Sequence, residues 1–499
     1  MRIGIIRRTS QLLQQFCAIS SCSGSIASQN TMSAATDDER VVRLASDDWP
    51  NERDGYPRSA WDIPSYIEQR LSIDCAPFLR RLFNSPKLGR HPEKQLLETF
   101  ASDAFPAMIS IIMSTQELFP NLQLTAFKTG TGCAEIVLTR KQVYCLISRM
   151  FLCLIPHDGQ KYLWAHRRFM LRGMERLDFR LWHGEAELAE GGHEEDSRES
   201  VIKMVRNDDP RLSYLISLLH YFVATAQMSS AEMSELLRFR LANVTDGVIW
   251  SEVSDQVVNC DQLCTIDNSS RIGENPGYEV EVDFANKDIG FHVTATQEEI
   301  LFGTNIELCV ATLLADTLAV NEAIVITGAR KTCTSTGYGT RLTVSPWTGS
   351  YGPHPRVVLC LDAVNLYQVL ESKKWSRMAN AVNLQLESEF LNRDMTKLLA
   401  GYTALTEGQV PKEQPVATGK WGCGAFGGHP LVKITLQLLA AAYAKRRLKL
   451  CLFGDSALET ALRKQLFPLI DGMSVGQVWK ELNDLNSNLV KVVKKFVEY

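Results

Sequence analysis

The sequence is most informative at first in what it does not contain. Its nine histidines form no HExxH or similar pattern, and its thirteen cysteines include no CxxC pair and no repeated spacing. Cys260 and Cys264 are the closest pair, in a polar stretch without neighbouring histidines, so the ligand patterns of a structural zinc site are missing. An odd cysteine count, with several thiols inside apolar runs, points to reduced cysteines acting as small hydrophobes in an intracellular compartment. A formal net charge of −4 offers no basic excess and so no sign of a non-specific nucleic-acid binder, and no direct sequence-specific nucleic-acid binding is expected. Apolar runs such as Leu215–Met228 are short and broken by His220, so no membrane span is expected. No acidic residue precedes Asp37, while Arg2, Arg7, Arg8 and many serines do, a composition similar to a mitochondrial presequence. Met32 is a second possible start.

What remains is the composition of an ordinary globular chain, 45% hydrophobic and 22% charged over 499 residues, enough for more than one core. Residues 1–60 read as a tail and linker, 61–243 as a helical accessory domain, and 244–499 as a domain of alternating strands and helices. In the helical part Thr139-x-x-Gln142 predicts a capping box ahead of Val143, Leu146, Ile147, Met150 and Phe151 at helical spacing. Pro106 predicts a kink or boundary within 97–118, a further helical block covers 210–243, and the acidic stretch 184–200 reads as a solvated loop. In the second half the runs at 323–327, 356–361 and 448–453 predict buried strands of a layered α/β domain, whose ligands bind beyond the carboxyl ends of the strands.

The chemistry concentrates in YEVEVDFANKDIGFHVTATQEE, residues 278–299. Tyr278, Val280, Val282 and Phe284 alternate with Glu279, Glu281 and Asp283, which predicts a strand with one face on a core. A short loop leads to a helix start carrying Glu298 and Glu299. Paired acids suit glycoside cleavage, but neighbours on a helix point about 100° apart, so at most one is the acid/base. Thr296-x-x-Glu299 is also a capping box, which would direct Glu299 back onto the backbone. A helix N-terminus favours the carboxylate form, whereas burial and a bound anion oppose it. The glycine-rich TGKWGCGAFGG (418–428) before a helix admits either a close phosphate approach or a tight packed loop. Thr336-Gly-Tyr-Gly339 places a tyrosine between glycines after a strand.

VDFAN, QEE, ITG, TGY, TGKWGCGAFGG and LFGDS, in this order, resemble the catalytic region of the poly(ADP-ribose) glycohydrolases. The likeness covers roughly 245–470, and LTRKQVYCLISRMFLCLIP is similar to a helix ahead of that region in the family. The resemblance implies a macrodomain-like α/β fold, with a mixed or largely parallel sheet flanked by helices, preceded by a helical accessory domain. It implies hydrolysis of the ribose–ribose O-glycosidic bonds of poly(ADP-ribose), free or on poly(ADP-ribosyl)ated proteins, without cofactor or metal. Glu299 would be the acid/base, Glu298 and Asn286 would hold ribose hydroxyls, and Asp283 would support them. Tyr338 and Phe426 would flank the diphosphate and distal ribose, Phe453 would stack on adenine, and Glu274 is the nearest candidate for its acidic contact. Gly290, Gln297 and Lys420 complete the expected binding set. Family precedent implies nucleus and cytoplasm, against the mitochondrial hint of the N-terminus.

The sequence departs from the family where a triple-glycine loop wraps the diphosphate. Here 289–296 is about three residues shorter and keeps only Gly290, so Phe291 and His292 are expected to obstruct phosphate approach. Lys420 stands where the family usually has Asn. Besides the active hydrolase, a binding module with weakened or absent turnover is the main alternative, and a splicing error across 289–297 is a third.

Overall fold

Alternating apolar segments in the second half do form strands, but the sheet they build also recruits two strands from the first. The structure, a computed structural model, describes residues 40–45, 55–71, 77–83, 93–130, 132–156, 178–183, 209–244, 247–292, 294–315, 317–373 and 377–496. The candidate targeting segment 1–36 and the acidic stretch 184–200 lie outside the described residues. Within the expected linker, β1 (Arg40–Arg43) pairs antiparallel with β2 (Gln123–Ala126).

The helical half contains α1 (Phe105–Met113), α2 (Arg140–Phe151) and α3 (Pro210–Ala226). Both arms of the predicted capping box close at the start of α2: the Gln142 N–H donates to Thr139 Oγ1 at 3.2 Å, and Gln142 Oε1 accepts the Thr139 N–H at 2.9 Å. Ahead of α1, Phe100–Ala104 forms a π-helical turn, with Pro106 just beyond it. That widened turn accommodates a proline without breaking the helical path. The helix over Glu93–Met113 is long and apolar enough to cross a membrane, but Leu97, Phe100, Ala104, Phe105, Met108, Ile111 and Ile112 are buried in the protein core.

The expectation of a purely helical accessory domain over 61–243 needs correction. Besides β2, the strands β3 (Ala134–Thr139) and β4 (Leu236–Asn243) interrupt it. β4 has buried residues at 237, 239 and 241, the two-residue period of a half-covered strand. After them come β5 (Cys264–Asp267), β6 (Val280–Asp283), α4 (Gln297–Thr304), β7 (Glu322–Thr327), β8 (Cys333–Thr336), β9 (Thr343–Pro346) and β10 (Val357–Cys360). The chain continues through α5 (Ser388–Glu407), β11 (Val416–Thr418), α6 (Pro430–Ala444) and β12 (Leu448–Cys451).

Eight strands form one mixed sheet in the order β3-β4-β7-β10-β6-β11-β12-β5. The run from β10 to β5 is parallel, whereas β7, β4 and β3 are added antiparallel to their neighbours. β6 is interior to this sheet, with β10 on one side and β11 on the other. One sheet face, with Ile324, Ile326, Val358 and Cys360, packs on the helical half. The other, with Val280, Val282, Val357 and Leu359, packs on α5 and α6.

This layering changes the reading of β6. The sequence pattern predicted one buried face and one polar face, yet all four residues of the strand are buried. Glu281 and Asp283 point into the layer under the helical half, beside Val358 and Cys360 in register. Glu281 is neutralised by both arms of Arg356, at 2.7 and 2.6 Å, and Glu279 by Lys449 at 2.9 Å. A buried carboxylate needs such a partner or must take up a proton.

Candidate active site

At the carboxyl end of β6 the chain turns through residues 284–296 into α4, and this turn gathers the acidic residues. Gln297, the first residue of α4, ties helix to strand: its Oε1 accepts the Phe284 N–H at 2.8 Å, and its Nε2 donates to the Val282 carbonyl at 3.0 Å. Both ends of the amide are thus committed to the β6 backbone. Glu298 receives the Asn286 N–H on one carboxyl oxygen at 2.9 Å and the Gly290 N–H on the other at 2.8 Å. Gly290 has φ +127°, a conformation closed to residues with a side chain. Glu299 closes the capping box, accepting the Thr296 N–H at 3.0 Å and the Thr296 hydroxyl. The structure therefore realises the backbone-capping alternative for Glu299 while placing its carboxylate beside Glu298.

The electrostatics of the cluster follow from burial, with no cation of the described residues acting on Asp283 or Glu298. Desolvation pushes the Asp283 carboxyl up to about 8, and the Glu299 charge adds to the rise, while the Cys360 thiol, its register partner on β10, pulls the other way. Among the described residues no N–H or hydroxyl group donates to either Asp283 oxygen, and the Cys360 thiol alone opposes the rise. Glu298 is also driven well above the carboxylate range, by desolvation first and then by Asp283 and Glu299. Its two backbone N–H donors oppose that rise without cancelling it.

The loop itself corrects one expectation. Phe291 is fully buried, its ring 5.0 Å from Phe179 and 4.8 Å from Trp182. It does not adopt positive φ and does not project toward the site as an obstruction; it anchors the loop beneath it. Cys360, Trp182 and Tyr214 are the neighbours that sequence reasoning missed. Only Gly303, an isolated glycine in a helical stretch, hinted at them, because such a residue marks a close packing contact.

The remaining candidates lie around this centre to differing degrees. Tyr338 is exposed, and its phenol is raised by burial first and by the Glu299 charge second, which places it within electrostatic reach of that carboxylate. The adjoining Gly339 N–H donates to the Ala295 carbonyl at 3.2 Å, joining the two loops. In the glycine-rich segment after β11, a Cβ on Gly419 would lie 2.6 Å from the Cys451 carbonyl oxygen. On Gly428 it would lie 2.6 Å from the Gly422 carbonyl oxygen, and on Gly427 2.6 Å from the Tyr367 ring. These glycines serve packing, and only Gly424 of the segment faces open space. Trp421 is buried beneath, donating to the Leu361 carbonyl at 2.9 Å, and Phe426 is half-buried. Lys420 pairs with Asp455 at 3.0 Å, linking the loops after β11 and β12. Phe453 is 58% exposed at φ +53°, with the Arg271 guanidinium 4.2 Å from its ring centre. Glu274 is exposed and stands apart from the carboxylate cluster, within electrostatic reach of Lys331, whose ammonium donates to the Gly273 carbonyl at 2.6 Å.

Comparison with known proteins gives this arrangement a lineage. Residues 250–460 match the family described as poly(ADP-ribose) glycohydrolase, macro domain fold, and residues 93–240 match its helical domain. The chain is 34% identical over 194 residues to poly(ADP-ribose) glycohydrolase 2 of Caenorhabditis elegans, covering 36% of this chain and 38% of that protein. It is 24% identical over 454 residues to poly(ADP-ribose) glycohydrolase 1 of Arabidopsis thaliana, covering 76% of each. A solved poly(ADP-ribose) glycohydrolase from Deinococcus radiodurans, in complex with ADP-ribose, aligns at 16% identity with a TM-score of 0.29, over 44% of this chain and 89% of that one. With both domain types matched in order across most of its length, the chain belongs to the poly(ADP-ribose) glycohydrolase family.

Proposed function

We propose that this protein hydrolyses the ribose–ribose O-glycosidic bonds of poly(ADP-ribose) and releases ADP-ribose. The observation that carries the reading is the buried cluster of Asp283, Glu298 and Glu299 at the end of an interior strand, in a chain of this family. Glu299 donates a proton to the departing ribose hydroxyl oxygen as the anomeric C–O bond breaks. A water then adds its oxygen to the oxocarbenium-like carbon and returns a proton to Glu299, so the residue ends as it began. Asp283, pushed up to about 8, is protonated at neutral pH and adds no negative charge beside Glu299. Glu298 and Asn286 hold ribose hydroxyls, Gly290, Tyr338 and Phe426 border the diphosphate and distal ribose, and Lys420 supplies a nearby cation. Phe453 offers its face to adenine, with Glu274 as the acidic contact. Poly(ADP-ribosyl)ated proteins in nucleus and cytoplasm are the proposed partners. Fusing residues 1–36 to a reporter tests the mitochondrial alternative.

A second reading is favoured by one specific observation: the Glu299 carboxylate is engaged by Thr296 rather than open on all sides. On that reading the domain binds ADP-ribose and turns polymer over slowly or not at all. Incubating full-length protein with poly(ADP-ribose) separates the two. Release of ADP-ribose, reduced roughly a thousandfold by Glu299→Gln, supports the hydrolase. Intact polymer alongside calorimetric ADP-ribose binding supports the binding module instead.

A further inference from the structure

Two buried aromatic side chains of the helical half donate hydrogen bonds to the turn between β6 and α4. Trp182 is fully buried and stacks on Phe179 at 4.9 Å, and its indole N–H donates to the carbonyl of His292 at 3.0 Å. Tyr214, on α3, donates its hydroxyl to the carbonyl of Thr294 at 2.7 Å, and its ring lies 4.9 Å from that of Trp182. The Tyr214 ring occupies a notch in α4 at Gly303, where a Cβ would come within 2.2 Å of a ring carbon. The same phenol lies within electrostatic reach of Glu299.

We propose that Trp182 and Tyr214 are positioning residues for the hydrolysis proposed above, holding the backbone at His292 and Thr294 and through it the location of Glu298 and Glu299. The kinetic part of this inference rests on the hydrolase reading; the structural part does not. Physically, an interval with Gly290 as its only glycine cannot fold tightly around a ligand by backbone freedom alone. It is fixed instead by donors from another element. Glu298 holds its start through the Gly290 N–H, while the indole and the phenol hold the carbonyls that follow. A rigid support of this kind matters because catalytic groups displaced by an ångström lose much of their effect.

The test uses the full chain with Trp182→Phe, Tyr214→Phe and the double variant, which keep an aromatic ring and remove one donor each. Tyr144→Phe is the control, a buried tyrosine of the same core whose hydroxyl makes no hydrogen bond among the described residues. Hydrogen–deuterium exchange of the 286–296 peptide and steady-state hydrolysis of poly(ADP-ribose) are measured together. Exchange is expected to accelerate about fivefold for each single variant and roughly twentyfold for the double, the effect of losing one or two buried hydrogen bonds. The specificity constant kcat/KM should fall by a comparable factor, mainly in kcat, while Tyr144→Phe leaves both unchanged. If the double variant does not fold, the single variants carry the same comparison. Exchange no faster than in the control, or unaltered kinetics despite a loosened loop, overturns the inference. Wild-type protein that leaves the polymer intact overturns the hydrolase reading alone. ADP-ribose affinity then replaces the rate, and an affinity the double variant does not change overturns the positioning role.

Discussion

Asp283 lies two residues beyond Glu281 on the same face of β6, and the two carboxyl groups meet opposite fates. Glu281 is clasped by both arms of Arg356, whereas among the described residues no cation, N–H or hydroxyl group reaches Asp283, which faces the Glu299 charge. The strand thus runs from a neutralised interior to an acidic end within a few residues.

The first expected consequence concerns pH. Asp283 binds its proton in the folded state up to about 8, against about 4 for an unfolded aspartate. Between those values the folded protein holds the extra proton, so this contribution is complete below about pH 4 and is lost as pH rises toward 8. Asp283→Asn removes the titration. Urea unfolding at pH 5 and pH 8 should show the variant gaining on wild type by about 2–5 kcal/mol at the higher pH. A difference that does not vary with pH would count against a proton on Asp283.

Breaking the neighbouring pair should act in the opposite sense at neutral pH. Arg356→Met leaves Glu281 buried without its cation and should destabilise the fold by about 3–5 kcal/mol. Adding Glu281→Met to it should recover most of the loss, because two apolar side chains then fill the space. Chemical denaturation of the double-mutant cycle measures this, and a double variant as weak as the single one would refute it.

The glycine-rich segment offers a contrast between packing and binding. Gly428→Ala would set a Cβ 2.6 Å from a backbone oxygen and should cost about 2 kcal/mol or more. Gly424→Ala meets nothing within 4 Å and should leave stability within about 0.5 kcal/mol of wild type. If a phosphate approaches the backbone there, ADP-ribose affinity nevertheless drops in Gly424→Ala. Calorimetry and thermal melts on both variants separate the roles.

Thr296→Ala removes the hydroxyl partner of Glu299 and the side-chain half of the α4 cap, at a cost of about 1 kcal/mol. Glu299→Gln should cost less, because Gln serves equally in a capping box. Comparable unfolding midpoints for wild type and Glu299→Gln would make any loss of polymer hydrolysis a statement about chemistry rather than folding.

Several features were legible before any coordinates. The strands at β6, β7, β10 and β12, the capping box at Thr139, and the acidic start of α4 follow from periodicity and local hydrogen-bonding chemistry. These patterns repeat within a few residues, so short-range physics is sufficient to specify them. β3 and β4 escaped because flanking helices dominated their windows, and their strand character is realised by pairing with each other and with β7.

Residues 278–299 alone determined that a strand, a turn and two adjacent glutamates would come together, and that one of them could cap the helix. Only the tertiary structure decided that both faces of β6 are covered, so that Glu281 needs Arg356 and Asp283 keeps its proton. It also decided that Phe291 turns inward, onto Phe179 and Trp182, rather than toward the site. Arg356 lies 75 residues beyond Glu281, and Phe179 and Trp182 lie in a different part of the chain from Phe291, and no local pattern records which of them will arrive.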